Sequence, residues 1–420
     1  MKKSVGLMLA CMMLATMISG CRRQVNVEAV ESLTTKPTEA TATIEPTNVE
    51  PTIDEITSGE ATEMTTTEEG NVETVTTETA TTEAPTTETV TTETPTTEAP
   101  TTEVVNTETT TAGNTITESG LGFYGALNVR DGRLVDSNGN PVLLRGISTM
   151  GLQWYGQYVS KETLEFLKNT SGMNVIRLAM YTAEGGYCHK DANGKTELEA
   201  LIDKGVQAAI ELDMYVIIDW HILSDGNPNT YKEEAKTFLN KMSKKYAGFD
   251  NVIYEICNEP NGGTGWNDIK AYANEVIPVI RNNDSDAIVL VGTPTWSQEI
   301  DKAMADPLAF DNVMYTLHFY ADTHRDYLRE RLRTALEANI PVFISEFGIC
   351  DASGNGSINE SEADKWDALM DEYGLSWCIW NLSNKNEASA LIASWCNKLY
   401  GWSYDEWSQS GKWFLKVMGK

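Results

Sequence analysis

The sequence is poor in basic residues and in long apolar runs. Its 420 residues include 32 lysines and arginines against 61 acidic residues, which gives a formal net charge of −29 at pH 7. A chain this negative repels phosphate groups, which argues against nucleic-acid binding and against peripheral binding to anionic lipid. After residue 20, no apolar run reaches the roughly 18 residues that a membrane-spanning helix needs, so no internal span is predicted.

Residues 1–20 have the pattern of a bacterial signal peptide. Met1–Lys3 carry positive charge, Val5–Ile18 are apolar, and two small residues precede Cys21. The ending Ile18-Ser19-Gly20-Cys21 resembles a lipobox, which implies cleavage before Cys21 and a lipid anchor on that residue. Each buried methylene of the anchor would contribute about 0.8 kcal/mol. The alternative is an ordinary signal peptide in which Cys21 follows the cleavage site by chance.

Residues 21–118 are rich in Thr, Glu and Pro and contain no aromatic residue. Glu recurs every fifth position from Glu63 to Glu108, a period that fits neither a helix nor a strand. Nothing in this segment can be buried to offset the entropy lost on ordering, so we predict a disordered, self-repelling linker. An adhesive, mucin-like role for this segment is the alternative interpretation.

Residues 119–420 contain all 11 tryptophans and are predicted to form one folded catalytic domain. Eight β-rich apolar runs alternate with amphipathic stretches, which predicts an α/β fold of the (β/α)8 TIM-barrel type. A doubly wound sheet is the alternative, but the turn Gly146–Gly151 lacks the usual glycine-rich phosphate pattern. Asn128–Pro141 is predicted to be a hairpin below the barrel. The predicted strands are Val142–Ser148, Asn174–Met180, Tyr215–His221, Val252–Asn258, Ile288–Gly292, Val313–Tyr320, Pro341–Phe347 and Leu375–Trp380.

Polar and aromatic residues collect near the carboxyl ends of these strands, where barrel active sites lie. Glu259 and Glu346 end two different strands, so they are predicted to face one another across the barrel mouth. A carboxyl pair about 5 Å apart suits retaining cleavage of a glycosidic bond, with one group protonated and the other ionised. Arg177 would keep one of them charged. The alternative is a purely structural set of ion pairs, which is the role we predict for Glu255.

Several runs together resemble one family, the bacterial endo-β-1,4-glucanases (cellulases) of glycoside hydrolase family 5. The resemblance covers about residues 123–416, and its most specific part is Asn-Glu-Pro after one strand combined with Ser-Glu-Phe-Gly after another. The runs are Gly151–Gly156, Ile218–His221, Val252–Pro260, Thr295–Gln298, His318–Tyr320 and Ile344–Gly348.

The resemblance implies a role for each matching residue. Glu259 would be the general acid/base and Glu346 the nucleophile. The residues that would support catalysis are Arg177, His221, Asn258, His318 and Tyr320, with Asn258 on the sugar 2-hydroxyl and Tyr320 and Arg177 on the nucleophile. The residues that would bind substrate are Trp154, Tyr181, Trp296, Trp380, Lys385 and Glu387, because sugar rings stack on aromatic faces and their hydroxyls need polar partners.

One position departs from the family. Relatives usually have His before the Gly-Leu-Gln-Trp-Tyr run, and this chain has Met150. The change removes a hydrogen-bond donor from the predicted cleavage site, so we expect lower turnover or an altered preference for the sugar, with activity retained.

No cofactor and no metal are expected. A zinc site at His221 and His318 would need Glu259 as its third ligand, and Glu259 has a predicted catalytic task. The folded segment has five cysteines, an odd number, and their pairing is not determined by the sequence. Cys257 and Cys378 fall in predicted strands and are interpreted as small buried hydrophobic residues.

The sequence therefore predicts a monomeric, lipid-anchored retaining endo-β-1,4-glucanase at the bacterial cell surface or released outside the cell. Its partners would be a β-1,4-glucan and, through the anchor, the membrane, with no nucleic acid. A mannanase or a mixed-linkage β-glucanase would use the same carboxyl pair. A glycan-binding lipoprotein that has lost turnover is the alternative from another class.

Overall fold

A computed structural model describes residues 123–420 of the chain. The predicted signal peptide, the lipidation at Cys21 and the linker 21–118 lie outside the described residues. The predicted catalytic domain, 119–420, is described from its fifth residue onward.

The described chain alternates between strands and helices. The strands are β1 (Leu127–Arg130), β2 (Arg133–Asp136), β3 (Arg145–Thr149), β4 (Val175–Tyr181), β5 (Tyr215–His221), β6 (Val252–Glu255), β7 (Ile288–Val291), β8 (Val313–Thr316), β9 (Phe319–Tyr320), β10 (Val342–Gly348) and β11 (Trp377–Leu382). The helices are α1 (Leu152–Tyr155), α2 (Lys161–Ser171), α3 (Ala192–Glu211), α4 (Lys232–Tyr246), α5 (Trp266–Arg281), α6 (Pro294–Ser297), α7 (Ile300–Ala305), α8 (Asp326–Glu337), α9 (Glu360–Tyr373) and α10 (Gln409–Val417).

Eight parallel strands close into a barrel. They pair in the order β3-β4-β5-β6-β7-β8-β10-β11, and β11 pairs in turn with β3. Closure removes the free sheet edges that a doubly wound sheet would keep, so the predicted (β/α)8 barrel is confirmed. Gly146 is required where β3 meets β4, because a Cβ at this position would lie 1.8 Å from the Val175 carbonyl oxygen.

The helices cover the barrel with one apolar face each. In α5 the buried residues recur at helical spacing, from Ile269 through Tyr272 and Val276 to Ile280. The strands beneath are buried on both faces, so their sequences are nearly continuous apolar runs. Among the described residues, no helix is both long and apolar enough to cross a membrane.

The predicted hairpin is confirmed as β1 and β2, which pair antiparallel at the amino end of the barrel. Leu127 and Leu134 pack there with strand residues such as Tyr215 and Met314 in a second core cluster. The backbone N–H of Val129 donates a hydrogen bond to Asn312 Oδ1 (2.9 Å). The hairpin closes the end of the barrel opposite the predicted site.

In two places the observed strand ends before the predicted strand does. The run Val313–Tyr320 is divided into β8 and β9, because the N–H of His318 donates to the Ser297 carbonyl (2.8 Å) and leaves the sheet ladder. The run Val252–Asn258 stops pairing after Glu255. In both places the backbone beyond the ladder carries predicted site residues.

The five described cysteines, Cys188, Cys257, Cys350, Cys378 and Cys396, are free thiols. Cys257 and Cys378 are fully buried, as expected for small apolar residues within the barrel.

Candidate active site

A cavity of about 650 Å³ opens at the carboxyl end of the barrel. Polar strand ends and loop residues form its walls, as predicted for a barrel. The predicted site residues that line it are Tyr181, His221, Glu259, Trp296, His318, Tyr320, Glu346, Trp380, Lys385 and Glu387, together with Met150. Arg177 and Asn258 lie completely buried beneath it, and Trp154 is outside its walls.

Glu259 and Glu346 face each other in this cavity. One carboxyl oxygen from each, with a ring nitrogen of His318, lie within 4.8 Å of one another. Both residues are buried, at 8% and 4% exposed. This close approach is compatible with the roughly 5–5.5 Å between carboxyl groups that retaining glycosidases use.

A buried guanidinium holds the carboxylates of the site together. Arg177 NH1 donates to Glu346 Oε2 at 3.1 Å, and its Nε donates to Glu255 Oε2 at 2.7 Å. Its NH2 lies 3.0 Å from Asp219 Oδ2. Burial alone would lower the pKa of Arg177, but Asp219, Glu255 and Glu346 outweigh it and hold the guanidinium charged.

The two facing carboxyls are not equivalent. Burial raises the pKa of Glu259 to about 8. Burial and the charge of Glu259 also raise the pKa of Glu346, while His318 and Arg177 oppose that rise. Glu346 accepts hydrogen bonds from Arg177 and from the Tyr320 hydroxyl (2.9 Å), and among the described residues no guanidinium or phenol donates to Glu259. These hydrogen bonds favour the ionised form of Glu346, whereas burial favours the protonated form of Glu259.

A chain of hydrogen bonds through a neutral His318 also favours a proton on Glu259. The Ser345 hydroxyl donates to Glu255 Oε1 (2.8 Å), so its oxygen is free to accept from His318 Nε2 (2.8 Å). Burial lowers the pKa of His318 to about 4, so the ring is neutral and carries one proton. With that proton on Nε2, His318 Nδ1 can only accept, and Glu259 Oε1, 2.9 Å away, must be the donor.

A local irregularity in β10 makes this chain possible. Successive residues of a strand point to opposite faces, yet Ser345 and Glu346 both reach the site. The register with β11 shifts here, because Ile344 and Phe347 pair with Trp377 and Ile379. Three steps along β10 thus oppose two along β11, which is a bulge that aims both side chains inward.

A second chain of hydrogen bonds lies beside the first. His221 Nδ1 contacts Asp219 Oδ2 at 2.7 Å, and its Nε2 lies 3.1 Å from the amide nitrogen of Asn258. That amide nitrogen also donates to the Ile222 carbonyl, and Asn258 Oδ1 accepts from Arg177 (2.6 Å). All the hydrogen-bonding atoms of Asn258 have partners in the protein, so the expected contact with a sugar 2-hydroxyl requires one of these bonds to be exchanged.

Aromatic rings form the apolar walls of the cleft. Tyr181 and Trp380 both stack near the ring of His221, at centroid distances of 4.0 and 5.4 Å. Trp154 is 45% exposed and touches Tyr181 edge to face, outside the cavity proper. Trp296 is 47% exposed on a turn with positive φ values. Lys385 and Glu387 form an ion pair at the edge of the cavity.

Glu259, His318 and Glu346 are also spaced so that they could ligate a cation. Both ring nitrogens of His318 already have partners, Glu259 and Ser345. A bound metal would have to displace the hydrogen bond that orients Glu259. This donor set therefore fits proton transfer better than metal binding.

Sequence reasoning did not assign site roles to Asp219 and Ser345. Asp219 precedes His221 by two residues on the same strand. Because alternate side chains of a strand point to the same face, the sequence predicts that Asp219 and His221 share a face. The inward orientation of Ser345 could not be predicted in this way, because it depends on the bulge. The structural role predicted for Glu255 agrees with its position, fully buried and ion-paired with Arg177.

A (β/α)8 barrel with two facing carboxyls at its carboxyl end has the architecture of a retaining glycoside hydrolase. Residues 135–386 match the family model described as cellulase (glycosyl hydrolase family 5). The chain belongs to this family.

Relatives and solved structures agree with this assignment. The chain is 52% identical to endoglucanase A of Butyrivibrio fibrisolvens over 72% of its length and 70% of that protein. It is 49% identical to an endoglucanase of Clostridium saccharobutylicum, over 71% and 66% of the two chains. It also resembles the crystal structure of the catalytic domain of Thermobifida fusca endoglucanase Cel5A with cellotetraose (TM-score 0.66, 37% identity, 71% of this chain and 98% of that one).

We predict that Ser345→Ala lowers the pKa of Glu259 by roughly 0.5–1 units, the equivalent of one hydrogen bond. Without the serine acceptor, His318 can carry its proton on Nδ1 and donate to the ionised form of Glu259. The pKa is measured by ¹³C NMR titration of glutamate-labelled protein, with the Glu259 signal assigned through Glu259→Gln.

Ser148→Ala is the matched control. The Ser148 hydroxyl accepts from Arg177 NH1 (3.1 Å) and has no hydrogen bond to His318, so its removal should leave the titration of Glu259 unchanged. Equal shifts in both variants would contradict the proposed proton arrangement.

Proposed function

We propose that the protein is a retaining endo-β-1,4-glucanase, with Glu346 as nucleophile and Glu259 as general acid/base. The observation that carries the assignment is the asymmetry of the two carboxyls. Arg177 and Tyr320 donate hydrogen bonds to Glu346, which favours its ionised form, whereas the neutral ring of His318 requires a proton on Glu259.

In the first step, the ionised oxygen of Glu346 attacks the anomeric carbon while the bond from that carbon to the glycosidic oxygen breaks. Glu259 gives its proton to that oxygen, and the leaving chain departs with a free hydroxyl. The product is a glycosyl ester on Glu346, and Glu259 is left as a carboxylate.

In the second step, Glu259 takes a proton from water as the water oxygen attacks the anomeric carbon. The ester bond breaks, Glu346 is ionised again and Glu259 is protonated again, so the site returns to its starting state. Tyr320 and Arg177 would hold Glu346 in place during both steps.

The substrate assignment rests on the cleft and on the relatives. Aromatic rings at Trp296 and Trp380 offer stacking faces, and Lys385 and Glu387 offer polar contacts for hydroxyl groups. The Butyrivibrio and Clostridium relatives are named endoglucanases, and the Thermobifida structure contains cellotetraose. A β-1,4-glucan is therefore the proposed substrate.

We further propose that the enzyme acts outside the cell, held by a lipid on Cys21 and separated from the membrane by the linker 21–118. The support is the sequence pattern alone: the lipobox-like ending at Cys21 and the charged Thr/Glu/Pro composition of the linker.

The full chain is expected to release reducing sugar from carboxymethylcellulose, and Glu346→Gln and Glu259→Gln should each lower the rate by at least about a hundredfold. Mixed-linkage β-glucan and mannan are assayed in parallel. Release from mannan alone would mean that the substrate is a mannan, with the proposed mechanism unchanged. Binding of cello-oligosaccharide without any release would instead support a glycan-binding protein.

Met150→His is expected to raise kcat/KM on carboxymethylcellulose roughly two- to tenfold, the effect of one additional hydrogen bond to the sugar. Met150 lines the cavity and packs with Tyr181 and Trp380, so an imidazole there would reach the same space. Met150→Leu is the control and should change little, because it adds no donor. An unchanged rate in Met150→His would count against the idea that Met150 limits turnover.

Cys21→Ala is expected to shift the enzyme from the membrane fraction to the medium when the full chain is exported by a bacterial host. The acyl chains would no longer be attached, which removes the lipid that we propose as the anchor. Fractionation followed by an activity assay measures the change. Equal release of both forms would mean that Cys21 carries no lipid.

A further inference from the structure

A second cavity of about 420 Å³ adjoins the first at the carboxyl end of the barrel. Lys385 and Glu387 line both cavities. The loop that begins at Ala352 also continues from one to the other, since Ala352–Gly354 line the first and Asn355 the second. The two cavities are therefore adjoining parts of one groove.

The second cavity presents an indole ring with polar neighbours. Trp395 lines it and is 64% exposed, so most of its ring is available for contact. A single exposed tryptophan does not by itself indicate a binding site. Here it shares a concave surface with amide and hydroxyl groups and with the Lys385–Glu387 pair, which are the donors and acceptors that sugar hydroxyls need. The other polar residues on this surface are Asn355, Asn386, Ser394 and Ser408.

The segment that carries Trp395 is anchored on both sides. The Ala393 N–H donates to the Glu406 carbonyl, and Asn384 Nδ2 donates to the Cys396 carbonyl (2.9 Å each). Lys398 forms an ion pair with Glu406 (2.7 Å). These contacts hold the backbone on both sides of Trp395 in place, which reduces the cost of ordering this segment when a ligand binds.

We propose that Trp395 forms an outer sugar subsite that binds a glucosyl unit of a longer β-glucan chain, beyond Lys385 and Glu387. The proposal rests on the proposed function, because it extends the same groove. Shape and continuity identify the ligand: a chain that lies in the catalytic cavity and passes Lys385 and Glu387 meets the indole next. The subsite would select for chain length.

The test is binding of cello-oligosaccharides of increasing length to the full chain carrying Glu346→Gln, measured by isothermal titration calorimetry. Adding Trp395→Ala should raise the Kd of cellohexaose roughly three- to tenfold, the contribution of one aromatic stacking contact. The Kd of cellotriose should stay within about twofold, because a short chain fills the catalytic cavity without reaching the indole.

Two further variants separate stacking from general damage. Trp395→Phe keeps a ring and should recover most of the affinity for cellohexaose. Phe249→Ala removes another exposed aromatic side chain, just before β6 at the opposite end of the barrel, and should change neither Kd.

The outcomes distinguish this proposal from the proposed function. If Trp395→Ala binds every length as tightly as its parent, or weakens all lengths equally, the outer subsite is overturned while the glucanase assignment stands. If the parent protein binds no cello-oligosaccharide and the wild-type chain hydrolyses no β-glucan, both fail. A loss that grows with chain length supports the outer subsite.

Discussion

The buried guanidinium of Arg177 is the interaction on which the site depends. Four carboxyls, Asp219, Glu255, Glu259 and Glu346, lie in the barrel mouth, and Arg177 pairs directly with three of them. Burial of so many acidic groups with one cation raises the pKa of each, to about 7 for Asp219 and about 8 for Glu259. Arg177 also lowers the pKa of Glu259 from a distance, but burial and the charges of Asp219 and Glu255 outweigh it, which favours the protonated form of Glu259.

This arrangement explains how one pocket holds an acid and a carboxylate next to each other. A carboxyl left protonated by chance would change with small movements of its surroundings. Here a chain of hydrogen bonds from Glu255 through Ser345 and a neutral His318 ring favours the proton on Glu259. The hydrogen bonds and the burial of Glu259 therefore both support its proposed role as the acid.

The barrel and most of its site residues could be predicted from the sequence, because the signals are local. Apolar runs predicted the strands, and polar residues at their ends indicated the candidate active face; β5, for example, has the predicted bounds. What escaped prediction depends on contacts between distant segments. The break between β8 and β9 comes from a bond to Ser297, and the inward turn of Ser345 comes from the register of β10 against β11.

The strongly acidic composition is compatible with a neutral polysaccharide as the proposed substrate. A net charge of −29 would repel an anionic polymer, but a neutral glucan neither gains nor loses from it. In the proposed complex, affinity would then come from short-range contacts, with rings such as Trp296 and Trp380 against sugar faces and polar side chains against hydroxyls. The net charge of the chain is thus not needed for binding the proposed substrate. The charges proposed to govern catalysis lie in the buried cluster around Arg177, where salt screens them only weakly.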